Sequence, residues 1–408
     1  MKEVLYPDFP VEEYQSRYSR TQQVLKRRGI DALFLTQRQN MRYFAGVRDG
    51  AWDAYHFYFL SLLPAEGEPV LLVRIGFPQI VKQSWIEDVR EWPPGRGLYM
   101  SKESNAISAV LDVLREKHLD RGVIGMETSP EIHVHMGHNH FTSLLEGLKG
   151  AQIVDGSDAI WEVRSIKSRA EIERMRKAAD ITTRGVKAGF EALKPGMSEK
   201  ELVNIMTSEM CSRGATEQRF NSLYAGPRAM WADGSPTDYV MEKGDLVQYD
   251  GGCIYEGYYC DFKRMASIGE PRADQRRFYE QAKAVLFAAI GTVKPGVPLS
   301  APLRAAFAAN DAAGFGSFSK WCLESGWSAI GHSLGLDLHE QPGLTAFNEA
   351  EMQGNMVLCV EPFITLNGVT PFYEAEEKFG LEDVVVVTKN GAEILTSEEK
   401  ITHDLWVA

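Results

Sequence analysis

Short apolar runs alternate with amphipathic stretches over roughly the first 160 residues of the chain. Four runs have the length of buried strands, and two stretches repeat apolar residues at helical spacing. The predicted strands are Ala32–Thr36, Pro69–Arg74, Gly122–Met126 and Gln152–Val154, and the predicted helices are Tyr14–Arg28 and Ala106–His118. Such alternation predicts an α/β layer domain, which we place at residues 1–160.

The pattern changes near residue 161, and the rest of the chain, 161–408, forms the second predicted domain. Ser168 is followed three residues later by Glu171, and Ser198 is followed in the same way by Glu201. Each pair matches a capping box, in which the serine and the glutamate satisfy the free amides at the start of a helix. We therefore expect two consecutive helices at the beginning of this domain.

Two landmarks of the second domain occur twice. A Lys-Pro-Gly turn stands at 194–196 and again at 294–296, each time between two predicted helices. The segment Gly-Asp-Leu-Val at 244–247 is matched by Gly-Asn-Met-Val at 354–357, and each continues through a strand into an acid, Asp250 or Glu361. The spacing predicts a duplicated helix–helix–strand unit, with one acid contributed by each half.

Asp250 and Asp261 lie on two predicted strands joined by Glu256-Gly257, which favours a two-residue hairpin turn. With that turn Gly252 lies opposite Asp261, so the two aspartates become diagonal neighbours on one face. Two ionised carboxylates side by side on a buried face repel each other, and a divalent cation relieves the repulsion. Exposed strand acids are the alternative that this pair alone leaves open.

Further candidate ligands follow downstream. His332 stands between glycines in Gly-His-Ser-Leu-Gly, and His339 comes seven residues later. Glu361 ends an apolar strand, and Glu382 begins a strand that is apolar enough to be central in a sheet. One histidine with four carboxylates is an oxygen-rich set that suits Mn, Co, Fe or Zn.

With these residues in this order, the chain resembles the pita-bread metallohydrolases, which include prolidase, aminopeptidase P, methionine aminopeptidase and creatinase. The resemblance covers nearly the whole chain and implies an α/β (α+β) fold, with a creatinase-type N-terminal domain and a duplicated pita-bread catalytic domain. It also implies a homodimer and two divalent metal ions. Asp250 would bind one ion, Asp261 and Glu382 would bridge both, and His332 with Glu361 would complete the other site.

The resemblance implies hydrolysis of an amide-type C–N bond by a metal-bridging hydroxide, with Xaa-Pro peptides as the default substrates of a dipeptidase or aminopeptidase. Glu361 would then carry the proton to the leaving nitrogen. His339 would stabilise the oxyanion or act as a structural histidine beside the ligands. A partner's N-terminal domain can reach the active site in this family, so Trp52, Asp53 and His56 are candidate substrate contacts.

Two positions depart from the family pattern. Asp233 stands where prolidases and aminopeptidases usually have a histidine, and Gly380 stands where prolidases tend to have an arginine. Both changes make the pocket more negative, which favours a cationic substrate unless Arg228 or Lys378 supplies the missing charge. The alternatives to a peptidase are a creatinase-like hydrolase of a cyclic amidine or guanidine derivative, a lyase on the same centre, or a non-catalytic binding protein.

The amino-acid composition limits the classes of partner that the protein is expected to bind. The net charge of −12 over 408 residues, without basic blocks, argues against nucleic acid or an anionic membrane as a main partner. The partner that the family resemblance implies is a dipeptide or another small molecule. No apolar stretch is long enough to span a bilayer. The acidic, proline-broken N-terminus and five irregularly spaced cysteines predict a cytoplasmic protein.

Overall fold

The computed structural model describes residues 3–48, 58–93, 105–229, 234–314, 316–324, 326, 328–365, 377–396 and 401–408. The chain forms two compact units, residues 1–164 and 165–408, and each combines helices with β-sheet. Within the described ranges, no helix is both long enough and apolar enough to cross a bilayer.

The first unit is built on a six-stranded mixed sheet. Its strands are β1 (Ala32–Leu35), β2 (Phe59–Pro64), β3 (Val70–Arg74), β4 (Asp88–Trp92), β5 (Val123–Met126) and β6 (Gln152–Asp155), in the order β4-β3-β2-β1-β5-β6. Its helices are α1 (Val11–Arg28), α2 (Arg38–Asn40, continued by a π-helical turn at Met41–Ala45), α3 (Pro78–Gln83), α4 (Asn105–Glu116), α5 (His138–Gly147) and α6 (Ser157–Arg164). The strand β2 is antiparallel to both of its neighbours, and the other pairs are parallel.

The four strands and two helices predicted for this unit are confirmed, with ends that differ by up to three residues. The sequence pattern does not predict β2 or β4. The strand β4 lies at the sheet edge and is only partly buried, so it carries no apolar run. The strand β2 follows an aromatic-rich segment, which hides where its own apolar run begins.

In its described residues, the second unit contains two five-stranded sheets and a two-stranded one. Its helices are α7 (Arg169–Ala192), α8 (Glu199–Ser212), α9 (Ala273–Ile290), α10 (Ala301–Ala312) and α11 (Gly316–Glu324), with a 3-10 turn at Gly226–Arg228. Its strands are β7 (Glu217–Ala225), β8 (Leu246–Tyr255), β9 (Tyr258–Tyr259), β10 (Phe262–Ser267), β11 (Ala329–Ser333), β12 (Glu340–Thr345), β13 (Val357–Val360), β14 (Phe363–Thr365), β15 (Lys378–Gly380), β16 (Asp383–Thr388), β17 (Gly391–Ile394) and β18 (Trp406–Val407). The first five-stranded sheet has the order β18-β10-β8-β7, with β9 paired to β8. The second has the order β12-β11-β13-β16-β17, and the two-stranded sheet pairs β14 with β15.

Both predicted capping boxes are present at the starts of α7 and α8. The side chain of Ser168 accepts a hydrogen bond from the amide of Glu171, and the glutamate side chain accepts one from the serine amide. Ser198 and Glu201 repeat the same reciprocal pair. Each box satisfies two amides that the helix itself leaves without acceptors, so it fixes the residue at which the helix begins.

The predicted duplication is visible in the backbone. Gly196 and Gly296 follow equivalent helices, and both adopt a left-handed conformation with φ of 90° and 79°. The amide of Gly196 donates to the carbonyl of Met241, and the amide of Gly296 donates to that of Met352, at 2.9 Å in both cases. The same turn therefore joins the helix pair of each half to the segment that precedes β8 or β13.

Candidate metal centre and active site

The hairpin β8–β10 has the predicted register. Tyr255 pairs with Tyr258 across the turn, and Lys263 lies opposite Asp250 farther along the same two strands. Because side chains alternate along a strand, Asp250, Asp261 and Lys263 share one face. The same register that brings the two aspartates together therefore also brings a lysine to them.

Gly252 has a steric role in this hairpin. A Cβ atom at Gly252 would overlap the backbone carbonyl oxygen of Cys260 on the facing strand. The missing side chain therefore lets the two backbones approach closely between Asp250 and Asp261.

The second large sheet brings the remaining candidate ligands to the same place. His332 on β11 pairs with Cys359 on β13. Glu361 directly follows β13, and Glu382 directly precedes β16, the next strand of that sheet. The amide of Glu382 donates to the carbonyl of Lys263 at 3.2 Å, which joins the two sheets at the site.

A buried ion pair fixes this junction. The Arg264 guanidinium donates to the carbonyls of Lys263 (2.9 Å) and Glu382 (2.8 Å), and to Oδ1 of Asp383 at 2.8 Å. Nε2 of His403 lies 2.6 Å from the other Asp383 oxygen. Burial raises the pKa of Asp383, but Arg264 and His403 outweigh it and hold that pKa below its usual value. Asp383 therefore stays ionised beneath the site.

Four side chains of the two sheets converge on one point. One ligand atom each from Asp261, His332, Cys359 and Glu382 lies within 4.8 Å of all the others. Within the described residues, both carboxylate oxygens of Glu382 and Nε2 of His332 are buried without a hydrogen-bond partner. Burial and the neighbouring carboxylates raise the pKa of Asp261 and of Glu382 well above their usual values. Such a set is costly unless a cation binds, so these residues fit a divalent metal ion.

His332 is oriented as a metal ligand. Its Nδ1 lies 2.9 Å from the backbone carbonyl oxygen of Ser333. Because a carbonyl oxygen can only accept a hydrogen bond, Nδ1 carries the proton and Nε2 has a free lone pair. Nε2 lies 3.8 Å from Asp261 and 3.6 Å from Glu361. Burial lowers the pKa of His332 to about 4, although Glu361 partly opposes the change. The imidazole is therefore neutral at pH 7, as metal binding requires.

Lys263 occupies the space beside Asp250. Its ammonium nitrogen lies 2.8 Å from Asp250, 3.4 Å from Glu361 and 3.7 Å from Glu382, and its side chain is 8% exposed. Burial lowers the pKa of Lys263, but the carboxylates outweigh it and raise that pKa well above its usual value. Asp250 thus has a cationic partner within the protein.

A cavity of about 500 Å³ opens onto these residues, and its wall includes Asp250, Asp261, Lys263, His332 and Glu361. His339 lines it as well, with its ring centroid 4.2 Å from that of His332. The cavity therefore exposes the convergent acids to a small molecule.

The loop that carries His339 is held by a buried glutamate. Glu340 accepts hydrogen bonds from the amides of Leu336 and Asp337, and it forms a 2.8 Å ion pair with Lys167. Lys167 and Glu340 are both almost fully buried. This arrangement limits the freedom of the loop, so His339 is held near the ligands.

The two candidate cations differ in position. Lys378 lines the cavity, with its ammonium 5.6 Å from the ring centroid of Tyr224 and 5.7 Å from that of Phe363. Arg228 forms an ion pair with Glu199. Of the two, Lys378 is the residue that the structure places at the cavity.

Four predicted substrate contacts lie outside the described residues: Trp52, Asp53, His56 and Asp233. Gly380 is described and lies on β15. Cys359 and Lys263 were not among the predicted site residues, although each stands two residues from a predicted ligand and therefore on the same strand face.

The chain is similar to known proteins over nearly its whole length. The model of metallopeptidase family M24 matches residues 173–389, and that of the creatinase/prolidase N-terminal domain matches residues 17–166. An uncharacterized peptidase of Staphylococcus saprophyticus is 29% identical over 92% of this chain and 97% of its own. The crystal structure of dipeptidase PepE from Mycobacterium ulcerans is 25% identical, with a TM-score of 0.82 over 98% of this chain and 99% of that one. A Xaa-Pro dipeptidase from Bacillus anthracis shares the fold, with 22% identity and a TM-score of 0.79 over 97% and 100% of the two chains. The chain therefore belongs to metallopeptidase family M24, as the combined prolidase-type fold and the family match together establish.

Proposed function

We propose that this chain is a metal-dependent peptidase that hydrolyses small peptides, with Xaa-Pro dipeptides as its first substrate class. The observation that carries the proposal is the convergence of Asp261, His332 and Glu382 beside the cavity, where both carboxylate oxygens of Glu382 and Nε2 of His332 are buried without a hydrogen-bond partner among the described residues. The 25% identity to a dipeptidase over nearly the full length supports a peptide substrate.

Asp261, His332 and Glu382 would hold the metal ion, with Glu361 beside them. A divalent ion there lowers the pKa of water and polarises a carbonyl group. Glu361 is partly exposed to the cavity, and Lys263 and His332 hold its pKa below the usual value despite burial. Its carboxylate is therefore ionised at neutral pH, so it can accept a proton from water and deliver it to the leaving nitrogen.

His339 lines the cavity beside His332 and would donate a hydrogen bond to the substrate carbonyl oxygen. A donor at that position stabilises the negative charge that develops on the oxygen during attack. Lys378 provides the positive charge that a dipeptide carboxylate needs, which offsets the absence of an arginine at Gly380. Arg228 is already paired with Glu199.

The second candidate is hydrolysis of a small cationic amidine or guanidine compound. It is favoured by the charge of the described cavity wall, where Asp250, Asp261 and Glu361 outnumber Lys263 and Lys378. A cationic substrate would be attracted by that excess of negative charge.

A substrate panel separates the two candidates. Purified protein supplied with Mn²⁺ is assayed on Xaa-Pro dipeptides, on the same dipeptides with an amidated C-terminus, and on creatine. The proposal expects cleavage of the free dipeptides, and a loss of at least 100-fold in kcat for Glu361→Gln. Glu393→Gln, which changes a surface ion pair with Arg176, is the matched control and should retain activity. Cleavage of creatine alone would refute the peptidase proposal in favour of the second candidate.

A further inference from the structure

Lys263 is placed by the strand register and not by a flexible loop. It lies directly opposite Asp250 in the antiparallel pair β8–β10, where side chains on one face are close neighbours. The backbone at Lys263 is also hydrogen-bonded to Glu382 of the other sheet. Its ammonium group is therefore directed towards the carboxylates from a backbone position that both sheets fix.

The surroundings of the ammonium group are those of a bound cation. Carboxylate oxygens of Asp250, Glu361 and Glu382 lie within 3.7 Å of it, and the side chain is nearly buried. A divalent ion bound to Asp250 would have to lie within a few ångströms of this positive charge. The repulsion between them opposes a metal ion at that position.

Gly380 lies beside the stem of Lys263. A Cβ atom at Gly380 would lie 3.4 Å from Cδ of Lys263 and 3.3 Å from Cβ of Phe363. The distance to Lys263 is that of an ordinary van der Waals contact, so the lysine stem runs directly past β15. This packing helps to hold the stem in its observed course.

We propose that this chain binds a single divalent metal ion, held by Asp261, His332 and Glu382, and that the Lys263 ammonium group replaces a second metal ion beside Asp250. The proposal rests on the metal dependence stated under Proposed function. It assigns to Asp250 the role of a partner for an internal cation, in place of the ligand role that the family resemblance implies.

Metal stoichiometry tests this assignment without relying on activity. The full chain is stripped of metal, titrated with Mn²⁺, and the bound ions per chain are counted by native mass spectrometry and by calorimetry. We expect one ion for the wild type and two for Lys263→Ala, which removes the charge and opens the space beside Asp250. Lys378→Ala removes a lysine from the same cavity and should leave the count at one.

Two ions on the wild type, or one ion on a folded Lys263→Ala variant, would overturn the assignment. Zero ions on the wild type would instead overturn the metal-dependent function on which it rests, so the two failures are distinguishable. If Lys263→Ala does not fold, anomalous scattering from a wild-type crystal containing Mn²⁺ shows whether one or two ions are bound. One peak beside Asp261 and Glu382 supports the assignment, and a second peak at Asp250 refutes it.

Discussion

The buried ion pair between Arg264 and Asp383 yields the sharpest stability prediction. Asp383 accepts hydrogen bonds from Arg264 at 2.8 Å and Thr396 at 2.7 Å, and it lies 2.6 Å from Nε2 of His403. Arg264 is 1% exposed and Asp383 is fully buried. Asp383→Ala would leave a buried guanidinium without its counter-charge at the junction of the two sheets.

Breaking such a pair by removal of one partner costs about 3–5 kcal/mol, most of it from the uncompensated charge. We therefore expect Asp383→Ala to lower the free energy of unfolding, measured by urea denaturation of the full chain, by about that amount. Thr396→Val removes a neutral hydroxyl that donates to the same carboxylate and accepts from the amide of Val384, and it should cost less, about 1–2 kcal/mol.

A double variant separates the charge effect from the loss of packing. Arg264→Met combined with Asp383→Leu removes both charges and keeps apolar volume, so it should be less destabilised than Asp383→Ala alone. A loss below about 1 kcal/mol for Asp383→Ala would contradict this expectation, because it would show that the buried guanidinium does not need its counter-charge.

Three further predictions follow from local geometry. Gly252→Ala should destabilise the chain by about 1–3 kcal/mol in urea denaturation, because the new Cβ would overlap a carbonyl oxygen of the facing strand. The control Gly354→Ala places its Cβ in open space and should change the free energy of unfolding by less than about 0.5 kcal/mol. Lys378→Met should raise KM for Xaa-Pro dipeptides about tenfold and leave KM for the amidated peptides unchanged; equal effects on both would contradict a role in carboxylate binding. Burial raises the pKa of the Cys253 thiol from 9.0 to about 11, so the folded state holds the thiol proton more tightly than the unfolded state does. The resulting stabilisation is complete below pH 9. As the pH rises from 9 to 11, the free energy of unfolding falls by up to about 3 kcal/mol. The urea midpoint of the wild type should therefore fall more steeply over that range than the midpoint of Cys253→Ala, and parallel curves would contradict this.

Much of the site was predictable because its geometry is set by short-range rules. A two-residue turn fixes a strand register, and the register fixes which side chains share a face. That argument correctly placed Asp250 and Asp261 together. The capping boxes at Ser168 and Ser198 are equally local, and both form as expected.

The role of Lys263 depends on information that a single hairpin does not contain. The register alone places it opposite Asp250, but its contacts with Glu361 and Glu382 arise only when the second sheet docks. The approach of Cys359 to Asp261 likewise depends on how the two sheets meet. The period-two alternation of side chains predicts which residues share a face within one pair of strands. The packing of one sheet against the other determines which charged side chains of different sheets become neighbours.

The edge strands of the first unit show the same limit. The strand β4 reads Asp-Val-Arg-Glu-Trp and is only partly buried, so no apolar alternation marks it. Its place comes from pairing with β3, over the register Val70–Asp88 to Arg74–Trp92. Backbone pairing can recruit a polar segment into a sheet edge, and a hydrophobic pattern cannot reveal this.

The proposed catalytic metal centre is tested by measuring the rate of Xaa-Pro dipeptide hydrolysis before and after removal of metal. We expect the chain to lose activity when a chelator strips it and to regain activity when Mn²⁺ is returned. Glu382→Gln, which removes a buried donor charge, should not be rescued by Mn²⁺. Hydrolysis that survives stripping unchanged would contradict a catalytic metal centre at Asp261, His332 and Glu382.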